Sequence, residues 1–192
     1  MMNFITALIV SLLAANSSIQ ESPNVIVERM TIVIVPHGDD EVTLLPLIQA
    51  SGDRAIVVVM TDGAASSRCY KVADCAKARE DSTRGFLREQ APQATVLWIG
   101  LPDKGLSYGV TRELVEGLLY RWPDATLWAA GRDYGHHDHN VVRAVVGDLG
   151  GILHSDTMMY EADAQLLDTL SRWYGWLGPF GPGSFALLGV VP

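Results

Sequence analysis

Histidine and carboxylate side chains form two short clusters whose composition is typical of a metal site. The first is "PHGDDE", which follows an apolar run and contains His37 and the three carboxylates of residues 39–41. The second is "HHDH", residues 136–139. Neighbouring carboxylates repel one another, so a positive group among them is expected. A divalent metal ion would be the largest local charge available to such a site.

These residue types suit hydrolysis. A hydrolytic zinc ion needs about three histidine or carboxylate ligands and one open position for water. His37 and Asp40 are close enough in sequence to hold one ion, and the HHDH cluster offers the third ligand. Zinc lowers the pKa of its water to about 7. A carboxylate beside the ion can then accept the proton, and an imidazole opposite it can stabilise the oxyanion or protonate the leaving group.

Each cluster taken alone also has a structural explanation. An aspartate such as Asp39 or Asp40 most often caps a helix N-terminus, and His37 alone would be a hydrogen-bonded loop histidine. A histidine-rich turn at 136–139 can lie on the surface. The metal interpretation is favoured because both clusters follow predicted strands, so they are expected to meet.

Short apolar runs alternate with helical patterns along the chain. This alternation predicts βαβ units and an α/β fold, a Rossmann-like three-layer sandwich with a mostly parallel sheet. Strands are predicted at 31–35, 55–60, 95–99, 125–130, 157–162 and 184–191, the last of them antiparallel at an edge. Helices are predicted at 41–50, 74–90, 111–122, 140–149 and 164–177.

The predicted fold places the reactive residues together. In open α/β sheets, ligands bind beyond the carboxyl ends of the strands. Four loops leave such ends and hold most of the reactive polar groups, so we expect them to share one rim. They are "PHGDDE", "TDGAASS", "GLPDKG" and "GRDYGHHDH".

Composition narrows the class of protein. The chain has 192 residues, of which 48% are hydrophobic and 19% charged, and this is typical of one globular domain. Its formal net charge of −8 disfavours a nucleic-acid backbone or an anionic membrane surface as the main partner. We expect no nucleic-acid partner and no stable membrane span.

The N-terminal segment leaves two interpretations open. "FITALIVSLLAA" (4–15) has the length of a signal-peptide core and is short for a transmembrane helix, but no Lys or Arg precedes it. Residues 1–29 are therefore a signal peptide or an N-terminal extension, and residues 30–192 form a single domain. The protein is exported in the first case, and cytoplasmic if the functional start is near Met30.

The oxidation state expected for the two cysteines depends on whether the protein is exported or cytoplasmic. Cys69 and Cys75 are the only cysteines in the chain. In an exported protein they are expected to form a disulfide that closes a short loop. In the cytosol they would be two free thiols.

Both clusters resemble the motifs of one enzyme family. "PHGDDE" resembles the P-H-P-D-D-E signature of the N-acetylglucosaminyl-phosphatidylinositol de-N-acetylase family (PIG-L, or LmbE-like, zinc-dependent deacetylases), and "HHDH" resembles its H-P-D-H. "TDG", "ARED" and "GLPDKGL" extend the resemblance over roughly residues 31–161. Gly38 and His137 stand where the family has prolines, and His137 is a competing candidate ligand.

The resemblance implies the metal ligands. His37, Asp40 and His139 would hold Zn²⁺, and Fe²⁺ could occupy the same ligands. Arg79 and Asp103 are candidates for contacts with substrate hydroxyls or for bracing of the loops.

The resemblance also implies the catalytic residues. Asp39 would be the general base. His136 would polarise the acyl carbonyl or assist departure of the amine, and Asp138 would orient His136.

The implied function is that of a zinc-dependent deacetylase acting on linear amide C–N bonds. It would remove an N-acetyl group from an N-acetylglucosamine-type amino sugar or glycoconjugate, a small-molecule substrate, by attack of metal-bound water with Asp39 as base. The alternative is a non-catalytic metal- or carbohydrate-binding module on the same fold. Loss of metal without loss of biological effect would favour that alternative.

Overall fold

A five-stranded parallel sheet forms the centre of the protein. The computed structural model describes residues 29–130, 135–154 and 164–177. Within them the strands are β1 (Thr31–Val35), β2 (Ala55–Thr61), β3 (Thr95–Leu101), β4 (Thr126–Ala130) and β5 (Ile152–His154). The strand order is β3-β2-β1-β4-β5 and every pair is parallel, which confirms the predicted α/β fold.

Helices cover both faces of the sheet. The described helices are α1 (Leu45–Ser51), α2 (Cys75–Gln90), α3 (Tyr108–Arg121), α4 (His137–Asp148) and α5 (Ala164–Tyr174). Of these, α1, α2 and α5 pack on one face, and α3 and α4 pack on the other. Short 3₁₀ turns lie at Asp40–Leu44, Gly52–Arg54, Ser67–Lys71 and Gly175–Leu177.

The central strands are apolar without alternation because both of their faces are covered. Val33 and Val35 of β1 belong to the core on the α1 side, whereas Ile32 and Ile34 belong to the core on the α3 side. All four are at most 1% exposed. Successive side chains of a strand point to opposite faces, so a strand between two helical layers needs apolar residues at every position.

Several element boundaries differ from the predictions; helix α3, for example, begins at Tyr108 and not at residue 111. The predicted helix 41–50 is a 3₁₀ turn followed by the short helix α1, since Pro46 lies in the first helical turn and has no N–H to donate. Helix α4 begins at His137, so "HHDH" runs into its first turn. Strand β5 was not predicted, because three residues are too few to show a pattern.

Some predictions lie outside the described residues. These are the interpretations of the N-terminal segment and the predicted strands at 157–162 and 184–191. In the part of the chain that the structure describes, no helix is both long enough and apolar enough to cross a bilayer.

A disulfide joins the loop after β2 to helix α2. Cys69, in the Ser67–Lys71 turn, is bonded to Cys75, the first residue of α2, with the Cα atoms 5.5 Å apart. Asp74 caps the helix by accepting the Lys77 N–H at 3.0 Å. The loop is therefore attached to the start of the helix that carries Arg79.

We expect the disulfide to raise the free energy of unfolding by a measurable amount. Its cysteines are 6 residues apart, and closing so short a loop in the unfolded chain is worth about 2 kcal/mol in the chain-entropy estimate. The Cys69→Ala, Cys75→Ala double variant should lose about this free energy of unfolding in urea titrations. A reducing agent should lower the stability of the wild-type protein by a similar amount and leave the variant unchanged. Equal stabilities of oxidised wild type and variant would contradict the prediction.

Candidate active site

The loops that follow the strands lie against one another, as predicted. At the end of β2, Thr61 donates its backbone N–H and its hydroxyl to the Pro36 carbonyl at 2.9 and 2.8 Å. Asp62 donates its N–H to the Leu101 carbonyl at 2.8 Å, and its Oδ1 accepts the Asp103 N–H at 3.2 Å. The loops after β1, β2 and β3 thus form one connected rim.

His37, Asp40 and His139 form a set of three potential metal ligands. Asp40 Oδ2 lies 3.2 Å from His37 Nδ1 and 3.5 Å from His139 Nε2, and the ligand atoms of the three residues all lie within 4.8 Å of one another. In a tetrahedral site with bonds of about 2.0–2.1 Å, neighbouring ligand atoms are roughly 3.3 Å apart. The residue types and the spacing therefore fit a zinc ion.

A second set shares His37 and lies on its other side. It consists of His37, Asp103, His136 and Asp138, whose ligand atoms also lie within 4.8 Å of one another. His37 Nε2 is 3.1 Å from Asp103 Oδ1 and 3.4 Å from Asp138 Oδ2. Metal-ligating histidines commonly donate their second ring N–H to a carboxylate. Asp103 therefore contacts His37 as an orienting carboxylate would, and the Asp40 side of the ring belongs to the first set of potential ligands.

Asp138 already has partners for both carboxylate oxygens. It is fully buried, and it accepts the Lys104 N–H at 2.7 Å and the Leu106 N–H at 3.1 Å. Lys104 has a φ of 63°, a left-handed conformation that costs energy in a residue with a side chain. Asp138 thus stabilises the loop after β3 in this conformation, and that loop carries Asp103.

His136 and His137 face different groups. His136 is the N-cap of α4, its Nδ1 accepts the Asp138 N–H at 3.3 Å, and its ring centroid is 4.8 Å from that of His37. His137 Nε2 instead donates to the Leu106 carbonyl at 2.8 Å. His137 belongs to neither ligand set among the described residues. It braces the loop after β3, which explains its presence without a role as a ligand.

Asp39 lies beside Asp40 in an unusual backbone conformation. Its φ is 117°, a region that residues with side chains rarely adopt. Arg79 Nη1 donates to Asp39 Oδ1 at 3.2 Å and to the Gly38 carbonyl at 2.7 Å. The Asp39 side chain is still 32% exposed, so its carboxylate is reachable from the rim. Arg79, only 5% exposed, braces this loop.

Gly38 has no space for a side chain. A Cβ atom there would lie 2.3 Å from Thr83 Oγ1 and 3.1 Å from the Trp98 ring. The proline of the family signature would collide with the same atoms. Glycine at this position therefore lets α2 and β3 approach the loop that carries the candidate ligands.

The surroundings set the protonation of the carboxylates. Burial raises the pKa of Asp39, and Arg79 opposes this change; the exposed part of the side chain limits the effect of burial. Burial also acts to raise the pKa of Asp40, but the charge of His139 and the hydrogen bond from His37 outweigh it and hold this pKa below its ordinary value. Asp40 is thus kept as the carboxylate that a metal requires, whereas Asp39 is better suited to accept a proton.

The pKa of His37 reflects the carboxylates around its ring. Burial lowers this pKa, but the hydrogen bond and charge of Asp40, together with the charge of Asp103, more than offset the effect and raise it to about 9. His139 is affected differently, because burial lowers its pKa.

Sequence reasoning missed a buried contact that supports the backbone of Asp39 through Glu41. Tyr174 at the end of α5 donates a hydrogen bond to Glu41 Oε1, and its hydroxyl also lies 3.3 Å from Thr83 Oγ1. No local pattern signals this contact, because Glu41 and Tyr174 are 133 residues apart.

The fold and the converging ligands define an α/β protein with a candidate metal site at the carboxyl edge of a parallel sheet. The family described as GlcNAc-PI de-N-acetylase (PIG-L) matches residues 32–149, which is more than half of the chain. The protein belongs to this family.

Solved structures show the same fold at low sequence identity. N,N'-diacetylchitobiose deacetylase from Pyrococcus horikoshii is 19% identical with a TM-score of 0.61, over 94% of this chain and 82% of that chain. The A40926 pseudoaglycone deacetylase Dbv21 is 16% identical with a TM-score of 0.52, over 78% and 81%. GalB, the 4-carboxy-2-hydroxymuconate hydratase from Pseudomonas putida KT2440, is 14% identical with a TM-score of 0.52, over 63% and 55%. No curated protein sequence matches the chain.

Substitutions of His137 and His139 should differ in their effect on metal binding. His139→Gln should weaken zinc binding by more than about 100-fold, because it removes a nitrogen that faces Asp40. His137→Gln should leave zinc affinity unchanged, because this side chain is bonded to the Leu106 carbonyl and glutamine can still donate there. Chelator competition and zinc content measured on both purified variants would check this. A loss of zinc in His137→Gln would place His137 among the ligands.

Proposed function

We propose that the protein is a metal-dependent deacetylase that removes the N-acetyl group of an N-acetylglucosamine-type amino sugar or glycoconjugate. Membership of the PIG-L family supports this, and two of the similar structures are described as deacetylases. The observation that carries the proposal is the convergence of His37, Asp40 and His139 next to the partly exposed carboxylate of Asp39.

His37, Asp40 and His139 would hold the metal, for which zinc is the first candidate and Fe²⁺ suits the same ligands. A bound zinc ion supplies Lewis-acid polarisation and makes water a nucleophile near neutral pH. The residues orient one another before any metal binds, since Asp40 contacts both imidazoles and Asp103 contacts the far nitrogen of His37.

Asp39 is the general base in this proposal. Its carboxylate accepts a proton from the attacking water, and Arg79 fixes the carboxylate through its hydrogen bond. The water oxygen forms a bond to the acyl carbon and the C–N bond breaks. The proton passes to the departing nitrogen, so the products are acetate and a free amine.

In this proposal His136 acts on the acyl group. Because its Nδ1 accepts the Asp138 N–H, its neutral form carries the proton on Nε2. That N–H can donate a hydrogen bond to the acyl oxygen or assist departure of the amine. Asp138 would thus help to orient His136 through its backbone, whereas its carboxylate braces the loop that carries Asp103.

Arg79 and Asp103 act on the site residues in this proposal. Their contacts are with Gly38, Asp39 and His37, which favours bracing over direct contact with substrate hydroxyls. The substrate is then recognised by other parts of the rim, and the acyl group lies between Asp39 and His136.

Removal of Asp39 should separate metal binding from turnover. Asp39→Asn should lower the rate of acetate release by about 10²- to 10⁴-fold and leave zinc content unchanged, because the base is lost and the ligands remain. Acetate released from a panel of N-acetylglucosaminides and chitooligosaccharides is the measurement. Asp81→Asn is the matched control, since Asp81 lies on the surface of α2 and pairs only with Lys77 among the ion pairs described. Retained turnover in Asp39→Asn would remove Asp39 from this role.

Metal removal should abolish the activity reversibly. Dialysis against a chelator should stop acetate release, and one equivalent of Zn²⁺ or Fe²⁺ should restore it, because the ligand set is complete within one chain. The comparison of the two metals on the same apoprotein identifies the more active form. If the zinc-loaded protein binds the glycosides but releases no acetate from any of them, the non-catalytic module is the better description.

A further inference from the structure

Helix α5 carries a buried tyrosine that contacts the loop after β1, in which the candidate site residues lie. Tyr174, the last residue of α5, is fully buried, as are its partners Glu41 and Thr83. Its hydroxyl donates to Glu41 Oε1 and lies 3.3 Å from Thr83 Oγ1. The helix lies beyond residues 32–149, the part of the chain that the family match covers.

Glu41 connects Tyr174 to Asp39, the proposed base. Its second oxygen, Oε2, accepts the backbone N–H of Asp39 at 2.9 Å. Asp39 has a φ of 117°, a conformation that persists only when the surroundings impose it. The hydrogen bond from Tyr174 holds one oxygen of Glu41, so the other oxygen is fixed opposite the Asp39 N–H.

The position of Tyr174 is itself well determined. α5 packs on α2, where Gly85 leaves room for the Trp173 ring, since a Cβ at Gly85 would lie 2.2 Å from it. Trp173 Nε1 donates to Glu89 at 2.9 Å, and Trp176 Nε1 donates to Ser82 at 2.8 Å. These contacts fix the end of α5 against the helix that also carries Arg79.

We propose that Tyr174 is a positioning residue for Asp39, acting through Glu41. This inference rests on the proposed function, in which Asp39 is the base. Tyr174 and Glu41 hold the backbone of Asp39 through its N–H, and Arg79 holds its carboxylate. Without the hydroxyl, Glu41 loses the donor to Oε1 and is free to rotate away from the Asp39 N–H. The carboxylate of Asp39 then no longer keeps its direction towards the rim.

Tyr174→Phe tests the inference in the zinc-loaded full-length protein, because it removes the hydroxyl and keeps the ring against Phe86. We expect kcat for acetate release to fall about 10- to 100-fold, with KM and zinc content unchanged. A hydrogen-exchange measurement by NMR should also show faster exchange of the Asp39 amide, by at least about tenfold. Exchange does not depend on catalysis, so it decides the role of Tyr174 even if the wild-type protein releases no acetate.

Two further variants make the test specific. Leu170→Val, one turn earlier in α5 at a position that is fully buried, should lower stability and leave both kcat and the Asp39 exchange rate unchanged. Adding Tyr174→Phe to Glu41→Gln should cause no further fall in kcat, because the effect passes through Glu41. Unchanged kcat and unchanged Asp39 exchange in Tyr174→Phe would overturn the inference. So would an equal loss of kcat in Leu170→Val, or an additive loss in the double variant.

Discussion

Several carboxylates crowd together at the ends of the parallel strands, and their repulsion of one another is the constraint that the surrounding structure must satisfy. His37 stands between Asp40 on one side of its ring and Asp103 on the other, so one imidazole links the two ligand sets. The other carboxylates are matched with donors. Arg79 contacts Asp39, and backbone N–H groups contact Asp138. Such a cluster is stable when every buried charge has a partner, and a divalent ion would complete the arrangement.

Because these charged groups must be held in place, two helices on one face of the sheet contribute side chains that support the site. α2 provides Arg79 for the loop after β1, and α5 provides Tyr174 for Glu41 beneath that loop. Asp39 can keep a left-handed backbone because these contacts act from two directions. Strained conformations at functional sites are typically held in this way, by surroundings that leave no alternative.

The sequence alone predicted four of the five described strands, a mostly parallel sheet with helices on both faces, and the meeting of the two clusters. These follow from apolar runs and from the rule that parallel strands end at one edge. Composition could not show which way each imidazole faces, so the bond from His137 to Leu106 was not foreseen. The contact between Tyr174 and Glu41 was also out of reach, because it joins residues far apart in sequence and depends on how α5 packs. β5 was too short to give a periodic signal.

The absence of space at Gly38 has a consequence for engineering. Consensus design would replace this glycine by proline, since a more rigid backbone usually favours the folded state. Here the ring would meet Thr83 Oγ1 and Trp98, so the exchange would be unfavourable unless residue 83 became smaller at the same time. The motif and its neighbours on α2 and β3 are thus interdependent, and a fragment of the signature cannot be transplanted by itself.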